Sequence, residues 1–163
     1  MKLYLVQHAR AASKEVDPER PLTAEGRRDM EKVAAFIKPL NLAVDDLWHS
    51  GKTRAWQTAE ILARVITIRN EIAAHDGLAP NDDVQVIKEE IETARPAPER
   101  YRARQDLMIV GHMPFMDKLA SLLLTSSESA SIVAFKQGGI VCLNSENNRI
   151  WQIEWMITPE LLT

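Results

Sequence analysis

The run LMIVGHMPFMDKLASLLL, residues 107–124, decides the fold. Its first four residues are continuously apolar, the pattern of a strand buried on both faces. Gly111 breaks the run. Pro114 suits the first turn of a helix, where its missing N–H leaves no bond unmade. Met116, Leu119, Ala120 and Leu123 then recur at a spacing that puts them on one helix face. A buried strand passing directly into an amphipathic helix is the repeating unit of an α/β sheet. His112 stands at the junction.

The same unit recurs upstream. Lys2–Gln7 reads as a short buried strand, followed by a loop holding Pro18 and Pro21. Thr23 is placed to cap a helix whose inner face is Met30, Val33, Ala34 and Ile37. Leu47 and Trp48 mark a second strand before Ser50 and Gly51, and Ala55, Thr58, Ala59 and Leu62 share one face of the next helix. Asn70–Leu78 is ambiguous and reads best as one strand ending near His75. Asp82–Thr93 is helical in pattern and stops before Pro96. Ala94–Gln105, with four arginines and two prolines, reads as a solvated loop or ragged helix end, with a binding surface as the other reading. Ile140–Leu143 and Ile150–Met156 read as strands around the turn-like Asn144–Asn148. The prediction is an α/β three-layer sandwich, a mostly parallel central sheet with helices on both faces, forming one domain over residues 1–163.

Composition narrows the function classes. The net charge of -3 gives no general attraction to nucleic acid or anionic lipid, so any anion site must come from a local basic cluster. One cysteine, Cys142, permits neither an intrachain disulfide nor a thiolate-rich metal site. No run approaches the ~20 apolar residues of a membrane span, and the opening Met1–Val6 run is too short for a signal-peptide core. A reducing, cytoplasmic setting is expected, with neither nucleic acid nor membrane as partner.

Two histidines hold equivalent places. His8 follows the first strand and His112 follows the 107–110 strand. Ligands of open α/β sheets bind beyond the carboxyl ends of the strands, so if these strands are parallel neighbours, both rings face one pocket. Arg54 lies near the start of a helix that also follows a strand, where free backbone N–H groups favour an anion. Each residue alone has an ordinary structural explanation. Together, two imidazoles, a guanidinium and helix N-termini make a phosphate site.

Four segments extend this reading: LYLVQHARA from Leu3, RPLTAEG over 20–26, HSGKTRAWQTAEIL over 49–62 and IVGHMP over 109–114. In content, order and spacing they resemble the histidine phosphatase superfamily, in particular its small SixA-type phosphohistidine phosphatases. The likeness spans residue 2 to about residue 124 and implies the phosphoglycerate-mutase-like form of the three-layer sandwich. It implies that His8 is the nucleophile, that Arg54 binds phosphate, and that His112 holds the phosphoryl oxygens and exchanges protons. It places Arg20 at the pocket wall and Asp83 where SixA-type members carry an acidic residue. No cofactor or metal is implied.

These residue types fit the chemistry. A neutral His8 forms a phosphoramidate that water later hydrolyses, while Arg54 and a protonated His112 stabilise charge on the equatorial oxygens. A serine alkoxide leaving group needs an acid, whereas imidazole leaves with a conjugate-acid pKa of about 6.5. No strong general acid stands out, which suits a phosphohistidine substrate carried on a protein, although Asp82, Asp83 or Glu71 are available.

The chain departs from the family's Arg-His-Gly motif at two positions. Gln7 replaces the arginine: it can still bind substrate by donating hydrogen bonds to phosphate but brings neither charge nor a fork of donors, a loss that can cost on the order of 10²–10³ in rate. Ala9 replaces the glycine, which strains the loop by about 1 kcal/mol or more if φ must be positive. Arg10 is the candidate replacement charge, with a solvent-facing arginine as the plain alternative. A binding module that holds phosphorylated partners without turnover is the second reading, and a phosphatase or mutase for small phosphorylated metabolites the third. Gly51-Lys52-Thr53 matches the end of a P-loop, but Asp46 occupies the position of its first glycine. His8, His49, His75 and His112 lack local metal-ligand spacing, and the four tryptophans read as packing residues.

Overall fold

The computed structural model describes residues 1–93 and 105–163. The arginine-rich segment read above as a loop or helix end therefore lies almost wholly outside the described residues. Ten elements follow in order: β1 Lys2–Gln7, α1 Ala24–Ile37, β2 Ala43–His49, α2 Thr53–Ala63, β3 Thr67–Ala74, α3 Val84–Thr93, β4 Leu107–Gly111, α4 Phe115–Thr125, β5 Ile140–Asn144 and β6 Gln152–Ile157. The six strands form one sheet in the order β3-β2-β4-β1-β5-β6. β1, β2, β3 and β4 pair in parallel. β5 runs against β1 and β6 against β5, so β5 alone opposes the common direction.

Strand alternation divides the core into two layers. Tyr4 and Val6 of β1 pack with Met108 and Val110 of β4 beneath Met30, Val33 and Ile37 of α1 and Ala55, Ala59 and Leu62 of α2. Leu3, Leu5, Leu107 and Ile109 point to the opposite face. There they meet Ile87 and Ile91 of α3 and Phe115, Met116, Leu119, Ala120 and Leu123 of α4. Each large apolar side chain fully buried in this way contributes about 1.5–3 kcal/mol. The α/β sandwich with helices on both faces is thus the observed fold. β3, the segment that was hard to read, is an edge strand exposed on both faces, so it carries no alternation of apolar and polar residues.

The motif residues outside the chemistry hold the loops that carry it. Thr23 caps α1, its hydroxyl accepting from Gly26 N at 2.9 Å, while its own N–H donates to Arg10 O. A Cβ on Gly26 would lie 2.1 Å from Arg10 O. Only glycine lets α1 approach the chain after His8 so closely. Gln57 and Thr58 of α2 fix two loops at once. Gln57 Oε1 accepts from Leu22 N at 2.8 Å, and Thr58 Oγ1 accepts from Ala9 N at 3.0 Å while donating to Arg54 O. The Thr-x-x-Gly and Gln-Thr pairs of the motifs are hydrogen-bonding devices of the scaffold.

Candidate active site

β1 and β4 are neighbours with Gln7 opposite Gly111, and their ladder extends one rung further, His8 N donating to Gly111 O at 3.0 Å. That rung sets His8 beside His112. The ring centroids are 4.9 Å apart, and both rings are buried. α2 starts just beyond β2 and brings in Arg54, whose Nε donates to His8 Nε2 at 3.3 Å. No side chain caps the start of α2, so its first backbone N–H groups add to the positive end of the pocket.

The hydrogen bonds define the tautomer of His8. Its Nδ1 lies 2.7 Å from Ala9 O, and a carbonyl only accepts, so the ring proton is on Nδ1. Nε2 then carries the lone pair, consistent with its accepting from Arg54. Burial, reinforced by the Arg54 and Arg20 guanidinium groups, lowers the His8 pKa to about 4 against an opposing pull from the Ala9 carbonyl. The ring is neutral and nucleophilic at pH 7.

His112 is shifted further, to about 3, first by burial and then by the charges of His8, Arg54, Lys52 and Arg20. This corrects the expectation of a protonated His112: the surroundings hold it neutral, and only a bound anion would oppose the shift. Its Nε2 lies 2.5 Å from Ser50 Oγ at the end of β2, and its Nδ1 is buried with no hydrogen-bond partner among the described residues. Burial, then the Arg20 charge, also lowers the Arg54 pKa.

Of the residues anticipated from sequence, His8, Arg54 and His112 converge, and Arg20 acts on all three electrostatically. Arg20 sits at φ 50 and its Nε donates to Ala12 O at 3.0 Å. Gln7 ends β1, with a buried Oε1 that has no partner among the described residues. Two residues are not brought in. Arg10 is exposed and paired with Glu25 at 2.8 Å, because the Arg10 carbonyl is held by α1 and turns the side chain to that helix. Asp83 is exposed at the start of α3, where its carboxylate accepts from Gln85 N at 2.9 Å. Neither acts on the pKa of either catalytic-site histidine. The other acidic candidates fare alike: Asp82 accepts from Ala79 N, and Glu71 is exposed on β3. Ala9 is not among the residues with positive φ and is wholly buried, so the strain anticipated for alanine is absent.

Sequence reasoning missed Ser50 and Lys52, although both lie in the quoted HSGKTRAWQTAEIL segment. The remaining histidines are held by protein groups. His49 Nδ1 accepts from Gly51 N, and His75 stacks on Trp48 and meets Glu90. Among the described residues, no three His, Cys, Asp or Glu side chains converge on a metal position, and no helix is long and apolar enough to cross a membrane.

Residues 3–82 match the family described as histidine phosphatase superfamily (branch 1). An uncharacterised protein from a Picosynechococcus strain is 31% identical over 157 residues, spanning 92% of this chain and 88% of that protein. Among solved structures, the protein histidine phosphatase SixA complexed with tungstate is similar in fold, with a TM-score of 0.82 and 18% identity over 99% of each chain. The alpha-ribazole phosphatase of Shigella flexneri gives a TM-score of 0.70 and 15% identity over 98% of this chain and 97% of its own. With the paired imidazoles, the motif arginine and the family match all in agreement, the chain belongs to the histidine phosphatase superfamily and is a phosphatase.

Proposed function

We propose that the protein removes the phosphoryl group from a phosphohistidine carried on another protein, through a covalent phosphohistidine on His8. The cytoplasm is the proposed setting. The observation that carries this reading is the protonation pattern around His8: a proton on Nδ1 held by Ala9 O, a lone pair on Nε2, and cations as the charged groups acting on the ring.

That pattern allows both steps to run without a separate general acid. His8 Nε2 attacks phosphorus while the bond from phosphorus to the substrate ring breaks. A substrate ring protonated on its other nitrogen departs as neutral imidazole, so no proton need be supplied. The phosphorylated His8 keeps its Nδ1 proton because Ala9 O accepts from it. It is therefore itself poised to leave as neutral imidazole. Water then adds to phosphorus, the N–P bond breaks with its electron pair returning to Nε2, and the water's two protons leave on dihydrogen phosphate. Arg54 and the α2 N-terminus face the charge that develops on the equatorial oxygens.

An alkyl phosphate would release an alkoxide that needs a proton, and a positioned acid is worth about 10²–10⁴ in rate. Asp82, Asp83 and Glu71 have other engagements or exposed positions. The tungstate held by the SixA of similar fold, a tetrahedral oxyanion like phosphate, supports an oxyanion pocket here. The fold likeness to an alpha-ribazole phosphatase supports the competing small-molecule reading. A substrate panel separates the two. Turnover of a phosphohistidine peptide, and next of an aryl phosphate, is expected to exceed that of phosphoserine by about 10²-fold or more. Equal turnover of phosphoserine would overturn the phosphohistidine assignment, and tight His8-dependent binding without release would identify a binding module.

A further inference from the structure

A neutral His112 poses a problem that the site itself resolves. A neutral imidazole has one proton for two nitrogens, so it serves a phosphoryl oxygen only if the proton is on the nitrogen facing that oxygen. The other nitrogen must then find a donor. Ser50 Oγ lies 2.5 Å from His112 Nε2. A hydroxyl can donate or accept there, having one proton and two lone pairs. Lys52 N–H donates to Ser50 Oγ at 3.4 Å, a long bond that occupies one of the two lone pairs and is compatible with the hydroxyl proton going to the ring. The remaining nitrogen, Nδ1, is buried and meets no protein group among the described residues, on a ring only 2% exposed. A buried N–H left without a partner is destabilising unless a ligand completes it.

We propose that Ser50 sets the tautomer of His112, donating its hydroxyl proton to Nε2 so that the ring proton resides on Nδ1 and is offered to the oxygens of the bound phosphoryl group. The identity of that anion rests on the phosphatase reading above; the tautomer does not. Ser50 is a positioning residue in this scheme, acting through the ring. Without it the proton is free to move to Nε2, and an Nδ1 lone pair would then repel the phosphoryl oxygens. Three parallel strand ends thus contribute to one device: β1 supplies the nucleophile, β4 the donor ring, and β2 the hydroxyl that aims it.

The test reads the tautomer directly. Protein labelled with ¹⁵N-histidine is examined by long-range ¹⁵N–¹H correlation near neutral pH, with His112 assigned by its loss in His112→Gln. Wild type is expected to show the Nδ1–H form. Ser50→Ala should move His112 towards the Nε2–H form, and Ser50→Thr, which keeps the hydroxyl, should hold the wild-type pattern. Orthovanadate affinity should fall about tenfold in Ser50→Ala and recover in Ser50→Thr, the scale of one hydrogen bond to a charged group. An Nε2–H form in wild type, or a Ser50→Ala spectrum identical to wild type, would overturn the assignment. A tautomer change in a protein that never accepts a phosphoryl group would support the role of Ser50 and remove the phosphatase reading. Phosphoryl transfer with an unchanged tautomer would do the reverse.

Discussion

Each of the four parallel strands ends at a histidine, yet only the inner two strands of the six-stranded sheet bring their rings together. His8 and His112 follow β1 and β4, whereas His49 ends β2 and His75 follows β3. The backbone treats the pairs alike: His8 N donates to Gly111 O, and His75 N donates to His49 O. The rings differ. His75 has Nδ1 on Asp76 O, Nε2 on Glu90 and one face on Trp48 at 4.0 Å. His49 Nδ1 takes the Gly51 N–H, and its ring lies 5.1 Å from Trp56. By contrast, His8 Nε2 meets only an arginine N–H, and His112 Nδ1 meets no protein group among the described residues. Position at a strand end is shared by all four. What separates them is convergence: the rings of His8 and His112 lie 4.9 Å apart beside Arg54, while those of His49 and His75 pack on Trp56 and Trp48.

The strongest challenge to this contrast removes the cation that faces the inner pair. Arg54→Ala is expected to lower kcat/KM for an aryl phosphate by about 10²–10³. Arg54→Lys should restore only part of this, because an ammonium lacks the planar fork. An Arg54→Ala enzyme within a few fold of wild type would place the phosphate elsewhere.

A pH series sharpens the contrast next. The folded pKa values of His8 and His112, about 4 and about 3, lie below the unfolded value near 6.5. Between these limits the unfolded chain binds protons that the folded one refuses, so stability falls as pH drops from about 6.5 towards 4 and is fully present above 7. His8→Asn and His112→Asn should each flatten that slope in urea titrations. For the same reason the acid limb of kcat/KM, corrected for the substrate's ionisation near pH 6, should lie near pH 4. A limb at 6.5 would contradict neutral, desolvated rings.

The smallest effect belongs to the outer pair. His75→Phe keeps the stack on Trp48 and loses the exposed hydrogen bonds to Asp76 O and Glu90. It should change stability by about 1 kcal/mol and leave turnover unaltered.

The contrast also explains what could be read in advance. His8, Arg54 and His112 were legible because strand ends and helix starts are written locally, as apolar runs broken by glycine and proline. The two-layer core was legible from the same runs. Arg10 and Asp83 misled because nearness in sequence says little about direction: one side chain turns to Glu25, the other caps α3. Ser50, Gln57 and Thr58 act through single hydrogen bonds to residues 62, 35 and 49 positions away, and no local pattern announces such bonds. β3 was ambiguous because an exposed edge strand need not alternate.

The most direct measurement is to trap the phosphoryl group. Protein incubated briefly with a ³²P-labelled phosphohistidine peptide, then quenched in base, should carry label that survives alkali, is lost in mild acid and maps to residue 8. His8→Ala should carry none. Equal labelling of His8→Ala, or turnover by it at the wild-type rate, would contradict a covalent route through this ring.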